Sequence, residues 1–121
     1  MDRPFKQIEI EQYGDVYCMK LVHAQLDENG LDEFSSDIAR LLDENGCRKL
    51  VMILGPQDPL CLYSVFLAKM VNLHKRLVGA GGGLVLAGVS ENTQRIFQVA
   101  GLHKYFRFCS DPEKAMESLK Q

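Results

Sequence analysis

The sequence predicts an α/β fold in which helices alternate with the strands of a mixed, mostly parallel sheet. Two short runs, residues 49–54 and 84–87, are almost wholly apolar, as expected of strands that are covered on both faces. Before, between and after them, apolar residues recur every three or four positions, which indicates amphipathic helices. Because helices that alternate with buried strands imply right-handed crossovers, most neighbouring strands should be parallel.

The chain begins with a predicted β-hairpin, whose strands cover residues 5–12 and 15–23. The second strand alternates between two faces, with Tyr17, Met19 and Leu21 on one and Val16, Cys18 and Lys20 on the other. Only Tyr13-Gly14 connects the two strands, and so short a connection requires antiparallel neighbours. The predicted sheet is therefore mixed.

A first helix is predicted over residues 31–44, where one apolar stripe contains Leu31, Phe34, Ile38, Leu41 and Leu42. Asp27 or Asn29 could cap its N-terminus, and Asn45-Gly46 supplies a left-handed stop. Four acids lie around the start of this helix: Asp27, Glu28, Asp32 and Glu33. We interpret them as complementing the helix dipole rather than as an acid–base pair.

The second helix follows strand 49–54 and is predicted to bury one face, formed by Leu67, Met70, Val71, His74, Leu77 and Val78. We interpret His74 as a packed, hydrogen-bonded core residue rather than a base or metal ligand, because it lies on this apolar face. Residues 79–83 could suggest a nucleotide-binding loop. Such a loop follows a strand and begins a helix, whereas here the helix comes first, so we predict that the glycines end it and allow a tight turn.

The remaining elements are shorter. Ser90 is predicted to cap a third helix of about ten residues that buries Ile96, Phe97 and Ala100. A short edge strand is expected within residues 102–108, and a capping box at residues 110–113 begins a last helix that buries Ala115, Met116 and Leu119. The predicted order is β-β-α-β-α-β-α-β-α, with about five strands and four helices in a single domain, residues 1–121.

Composition excludes several classes of function. A net charge of −2 gives no electrostatic reason to expect a nucleic-acid partner, which would call for a basic patch or stripe. No stretch of about 18 apolar residues and no basic-then-apolar leader occurs, so we expect neither a membrane span nor a signal peptide. The cysteines have no zinc-like spacing, and we expect free thiols in a reducing cytoplasm at Cys18, Cys47, Cys61 and Cys109. No nucleophile–base pair, metal site or cofactor site emerges, and we predict no enzymatic activity.

Segment 59–66 is the strongest candidate site, because it follows the carboxyl end of a strand, where open α/β sheets bind their ligands. It concentrates five bulky apolar residues in a loop and a helix start: Leu60, Leu62, Tyr63, Val65 and Phe66. They could face the core, or Tyr63 and Phe66 could form an exposed patch of the kind that marks a partner interface. Ser64 could cap the helix, accept a phosphate or contact a partner.

Five motifs, in the right order and nearly the right spacing, resemble those of STAS domains, the fold of bacterial anti-sigma factor antagonists. Gln25-Leu-Asp27 is similar to the family's Gly-x-Leu-Asp turn, and residues 81–86 to its Gly-Gly-x-Leu-x-Leu. Residues 89–97 and then 101–106 resemble a helix followed by Gly-Leu-x-x-x-Phe, and residues 111–115 the closing Asp-x-x-x-Ala. The fifth motif is the start of the second helix.

In the family this helix starts with an Asp-Ser-Ser-Gly-Leu-Gly-like motif, whose second serine is phosphorylated by a partner kinase. Counting back from the triple glycine places the motif on residues 63–68, with Tyr63 at the acidic position and Val65 at the phosphoacceptor position. A valine has no hydroxyl, so the resemblance implies that the usual switch is absent. Moving the frame by one residue places Ser64 there, but then Leu67 and the triple glycine no longer align.

The resemblance thus implies a non-enzymatic, cytoplasmic, bacterial interaction module that binds an anti-sigma factor or a serine-kinase-like regulator. The expected contact residues are Leu60, Leu62, Tyr63, Ser64, Val65 and Phe66, and a Phe66→Asp variant is expected to fold but not to bind. No nucleic acid or membrane partner is expected, and a homodimer is possible. The alternative is a STAS-type domain that senses a small molecule, a nucleotide or a lipid, in a pocket at the same end of the sheet.

Overall fold

In a computed structural model, which describes residues 5–23, 26–54 and 64–120, the strands form one mixed sheet. They are β1 (Ile8–Tyr13), β2 (Val16–Leu21), β3 (Lys49–Ile53), β4 (Gly83–Ala87) and β5 (Arg107–Cys109), in the order β1-β2-β3-β4-β5. β1 is antiparallel to β2, and the other pairs are parallel. The helices are α1 (Glu28–Asp43), α2 (Ser64–Gly79), α3 (Glu91–Val99) and α4 (Pro112–Lys120). The predicted fold class and element order are confirmed.

The sheet separates two apolar clusters of unequal size. The larger one joins Leu50 and Met52 of β3 to side chains of α1, α2 and α3. The smaller one joins Val51, from the opposite face of the same strand, to Ala115 and Leu119 of α4. Because β3 contributes side chains to both clusters, its continuous apolar run has a direct explanation. The predicted alternation along β2 is confirmed as well, since its two faces belong to different clusters.

α2 buries a face that is rotated from the predicted one. Leu67, Met70 and Leu77 are buried as predicted, but Leu73 is buried too, and Val78 is 52% exposed. The buried stripe begins at Phe66, which is 0% exposed. Its ring centroid lies 5.2 Å from that of Phe34 on α1. The assignment of Phe66 to a partner-binding surface is therefore wrong, because its side chain joins α1 and α2 inside the core.

His74 is half-buried against two aromatic rings. Its ring centroid lies 4.9 Å from that of Tyr105 and 5.5 Å from that of Phe106. Burial lowers the pKa of His74. Within the described part of the chain, its buried Nδ1 has no hydrogen-bond partner. The prediction of a packed histidine is confirmed, whereas the predicted hydrogen bond is not found at this nitrogen.

The helix starts differ slightly from those predicted. α1 begins three residues earlier, because the Asp27 carboxylate accepts a hydrogen bond of 2.7 Å from the Gly30 N–H. Ser90 caps α3 as predicted, accepting from the Thr93 N–H at 3.1 Å. For α4 the accepting side chain is that of Asp111, which receives the Lys114 N–H at 2.9 Å.

The predicted burial in α3 is wrong in detail. α3 buries Phe97 and Thr93, while Ile96 is 37% exposed and Ala100 is also exposed. The two buried residues are four positions apart, on one face of the helix. The predicted short edge strand is confirmed: β5 has three residues and ends one residue beyond the predicted range. The residues before it form turns, in which the N–H groups of Tyr105 and Phe106 both donate to the Leu102 carbonyl.

The glycines after α2 form a helix stop and a close backbone contact, as predicted. Gly81 has a φ of +89°, and the Gly82 N–H donates to the Leu77 carbonyl at 2.9 Å, which is a Schellman ending. At Gly82 a Cβ atom would lie 1.7 Å from the carbonyl oxygen of Arg48. The same oxygen accepts the Gly83 N–H at 2.9 Å. Position 82 therefore has no room for any side chain.

A buried carboxylate ties the start of β1 to α1. Asp37 is 2% exposed, and its Oδ2 accepts hydrogen bonds from the backbone N–H groups of Lys6 and Gln7 at 3.0 and 2.7 Å. The Gln7 side chain also donates to Glu33 at 2.9 Å. These bonds satisfy the two N–H groups just before β1, and that of the buried Gln7 would be costly to leave without a partner.

The described thiols are free, at Cys18, Cys47 and Cys109, while Cys61 lies outside the described residues. Cys18 is buried in the smaller apolar cluster, as predicted for a small hydrophobe. Burial raises the pKa of Cys47 to about 12, which makes it unreactive. Of the helices described, none is long and apolar enough to cross a membrane.

Phe66→Ala is expected to destabilise the protein by about 3–5 kcal/mol, because it leaves a cavity against Phe34. Val65→Ala is the matched control: Val65 is 52% exposed, and its truncation should change stability by less than about 0.5 kcal/mol. Urea unfolding followed by circular dichroism measures both. Equal, small effects would show that Phe66 is not a core residue.

Gly82→Ala is expected to cost about 3 kcal/mol or more, because the new methyl group meets the Arg48 carbonyl and the backbone must move. Gly79→Ala is the control, since a Cβ at Gly79 meets nothing within 4 Å and lies in a helix. There, alanine should be neutral or stabilise by up to about 1 kcal/mol. Thermal unfolding of the two variants tests this prediction. Equal melting temperatures would show that position 82 tolerates a side chain.

Candidate functional site

The candidate site lies at one edge of the sheet, where the parallel strands end and helices begin. β3 ends at Ile53 and β4 at Ala87, and these residues pair in register. Each of the four described helices follows a strand of the parallel part of the sheet, so all begin at this carboxyl edge, α1, α2 and α3 on one face and α4 on the other. Helix starts and strand ends of this kind form the usual ligand-binding edge of an open α/β sheet.

The six predicted contact residues fall into three groups. Leu60, Leu62 and Tyr63 lie outside the described residues, and Ser64 is the first residue of α2, with its side chain also outside them. Val65 is 52% exposed in the first turn of α2. Phe66 is buried, as described above. Of the predicted set, Val65 is thus the one described side chain that a partner could touch.

A second exposed apolar side chain, which the sequence analysis missed, belongs to this edge. Val22 follows the last residue of β2 and is 42% exposed. Its N–H donates to the Gln7 carbonyl at 3.0 Å, which continues the hairpin by one bond. The sequence feature that indicates Val22 is an apolar residue directly after a parallel strand. The predicted strand extended to residue 23, so Val22 was assigned to the strand and not to the edge.

Charge is unevenly distributed along the edge. The first turn of α2 contains no acidic residue, whereas α1 and α3 begin with Glu28 and Glu91. One turn further along α2, the Lys69 ammonium donates to the Ser35 hydroxyl of α1 at 2.6 Å. The positive end of the α2 dipole is therefore not offset by an acid of its own first turn. The start of α2 is apolar and lies between two acidic helix starts.

The described residues contain no group of three or more histidine, cysteine or acidic side chains that could hold a metal ion. The described part of the structure has three clefts away from the start of α2. One of about 370 Å³ lies beside α4, and one of about 400 Å³ lies at the C-terminal ends of α1 and α2, near Arg76. The third, of about 500 Å³, lies along α1 near Asp37. None of these three includes a residue from the first turn of α2.

Comparison with solved structures gives the same fold. A Thermotoga maritima protein assigned as an anti-sigma factor antagonist matches with a TM-score of 0.81 and 19% identity, over 94% of this chain and 95% of that one. An anti-sigma factor antagonist from Mycobacterium paratuberculosis matches with a TM-score of 0.76 and 16% identity, over 100% of both chains. The Bacillus cell fate determinant SpoIIAA, in its phosphorylated form, matches with a TM-score of 0.67 and 14% identity, over 92% of this chain and 97% of that one.

Identities this low show a shared fold and no more. The sequence gives independent support, because the model of the STAS domain family matches residues 7–115. That match begins just before β1 and ends inside α4, so it includes all the described strands and the helices that border the candidate site. On this basis, the chain belongs to the STAS domain family.

Proposed function

We propose that this protein is a regulatory interaction module of the anti-sigma factor antagonist type, which binds an anti-sigma factor or a serine-kinase-like regulator. The contact surface is the start of α2 together with the segment before it. The observation that supports this best is Val65, an apolar side chain that is half exposed in the first turn of α2. Solved relatives of the same fold are anti-sigma factor antagonists.

The first turn of α2 meets the physical needs of such a surface. Phe66, packed on Phe34, holds the helix start in place, so that Val65 is presented on a fixed backbone. A partner that covers Val65 and Val22 removes apolar surface from water, at about 25 cal/mol per Å². The acidic starts of α1 and α3 flank this surface and provide the polar rim that protein interfaces commonly have.

The proposal includes the loss of the serine switch. SpoIIAA has been observed in phosphorylated and unphosphorylated forms. In the frame set by the glycines after α2, the acceptor position of the family falls on Val65, the second residue of the helix. A phosphate at this position would add about two negative charges to the contact surface. Without a hydroxyl there, binding by this chain is not ended by phosphorylation at that position.

Val65→Arg is expected to weaken partner binding at least tenfold, about 1.4 kcal/mol, because a charge replaces an apolar contact. Val78→Arg is a closely matched control: Val78 is equally exposed, at 52%, and lies near the other end of α2. Titration calorimetry against purified anti-sigma factors from the source genome measures both. Equal weakening by the two variants would place the interface elsewhere.

Val65→Ser is expected to create a phosphate acceptor. Incubated with ATP and the partner kinase, the variant should gain one phosphate by intact-mass spectrometry, and the phosphorylated form should bind more weakly. The unchanged protein should gain none under the same conditions. Phosphate on the unchanged protein, at Ser64 or elsewhere, would show that a serine or threonine switch is present after all.

A further inference from the structure

We propose that the cleft between β1 and α4 is a second docking surface, which takes a basic amphipathic helix of a partner protein. This cleft, called the α4-side cleft here, is lined by Glu9, Glu11, Tyr13, Cys18, Lys20, Ile53, Pro112, Glu113 and Met116. It lies on the sheet face opposite α2. The inference is therefore independent of the function proposed for the first turn of α2.

The cleft exists because the two faces of the sheet are covered unequally. α1, α2 and α3 contribute to the larger apolar cluster on one face, whereas α4 supplies the helical side chains of the smaller cluster on the other. α4 packs on strands β2 to β5. In the β1–β2 register Glu9 faces Lys20 and Glu11 faces Cys18, so these side chains point to the α4 side. None of the described helices covers the outer part of this sheet face.

A second helix fits the space beside α4. Packed helices lie about 8–10 Å apart, and two strands span about 10 Å, so a helix next to α4 would lie over β1 and β2. The cleft has a volume of about 370 Å³ and an apolar floor formed by Cys18, Ile53 and Met116. That volume accommodates a few aliphatic side chains from one helix face, which is the way that grooves anchor amphipathic helices.

The walls of the cleft select a basic helix. Glu9 and Glu11 stand on β1, Glu113 stands in the first turn of α4, and Lys20 is the one cation among the lining residues. Among the described residues, neither Glu9 nor Glu113 has a cationic group within 4.0 Å. Glu11 accepts the hydroxyl hydrogen bond of Tyr13. Carboxylates without an ion-pair partner, above an apolar floor, complement a helix that has lysines or arginines beside its leucines.

Other occupants fit less well. A second copy of the chain, placed symmetrically, would bring the same carboxylates face to face, and like charges oppose such an interface. A small hydrated cation would gain nothing from the floor of Cys18, Ile53 and Met116. The apolar floor and the acidic walls together match only a ligand that has both properties.

The experiment uses the whole chain and a fluorescein-labelled leucine–lysine peptide of about 14 residues, four helical turns, as the probe. Binding is measured by fluorescence anisotropy at low salt and at about 1 M salt, where the Debye length falls to about 3 Å. We expect saturable binding at low salt that weakens strongly at high salt. A peptide with glutamine in place of leucine should bind more weakly, because it cannot fill the floor.

Matched variants locate the site. The triple variant Glu9→Gln, Glu11→Gln, Glu113→Gln should weaken peptide binding about tenfold, since each exposed ion pair contributes modestly. Asp32→Asn, Asp43→Asn, Glu44→Gln changes the net charge equally at exposed positions outside the cleft and should change binding less than twofold. Both proteins should unfold at similar urea concentrations. Amide chemical shifts should move in β1 and α4.

Three outcomes would overturn the inference. Equal weakening by the two triple variants would mean general attraction to an acidic protein. Shift changes confined to the first turn of α2 would assign the peptide to the other surface. Sedimentation that reveals a dimer, with amide shifts that place β1 and α4 in its interface, would identify a second copy as the occupant. A failure of Val65→Arg to affect the regulatory partner bears on none of these results.

Discussion

The contact between the glycine turn and the Arg48 backbone fixes where α2 lies. Gly82 approaches the Arg48 carbonyl too closely for a side chain, and Gly83 donates to the same oxygen at the first pair of the β3–β4 register. The C-terminal end of α2 is held by this contact. From there the sixteen residues of the helix extend about 24 Å along the sheet, to the carboxyl ends of the strands. The position of Val65 at that edge therefore depends on a contact at the far end of the helix.

Two adjacent residues at the start of α2 have opposite roles. Phe66 fills the core against Phe34, whereas Val65, turned about 100° around the helix axis, faces solvent. The side chain that holds the helix and the side chain that it presents are thus neighbours in the chain. Any partner contact at Val65 is made on a backbone whose freedom is already limited by the packing of Phe66.

The parts of the fold that the sequence predicts are those with strong local signals. The apolar runs of β3 and β4, the alternation in β2 and the glycine stop after α2 depend on few distant contacts. The roles of Val65 and Phe66 could not be predicted, because both are apolar and only packing on α1 decides which is buried. The α4-side cleft could not be predicted either, since Glu9 and Glu113 are brought together by sheet order and not by sequence.

The carboxylate of Asp37 has a consequence for how the molecule opens. β1 is an edge strand, and edge strands commonly fray independently of the core. Here the two amides just before β1 donate to a buried carboxylate of α1, the helix that packs on one face of the sheet. Peeling β1 away would expose this carboxylate and break its bonds together with the β1–β2 ladder. We therefore expect the hairpin and α1 to open together, because separating β1 alone would leave the Asp37 carboxylate without its hydrogen-bond donors.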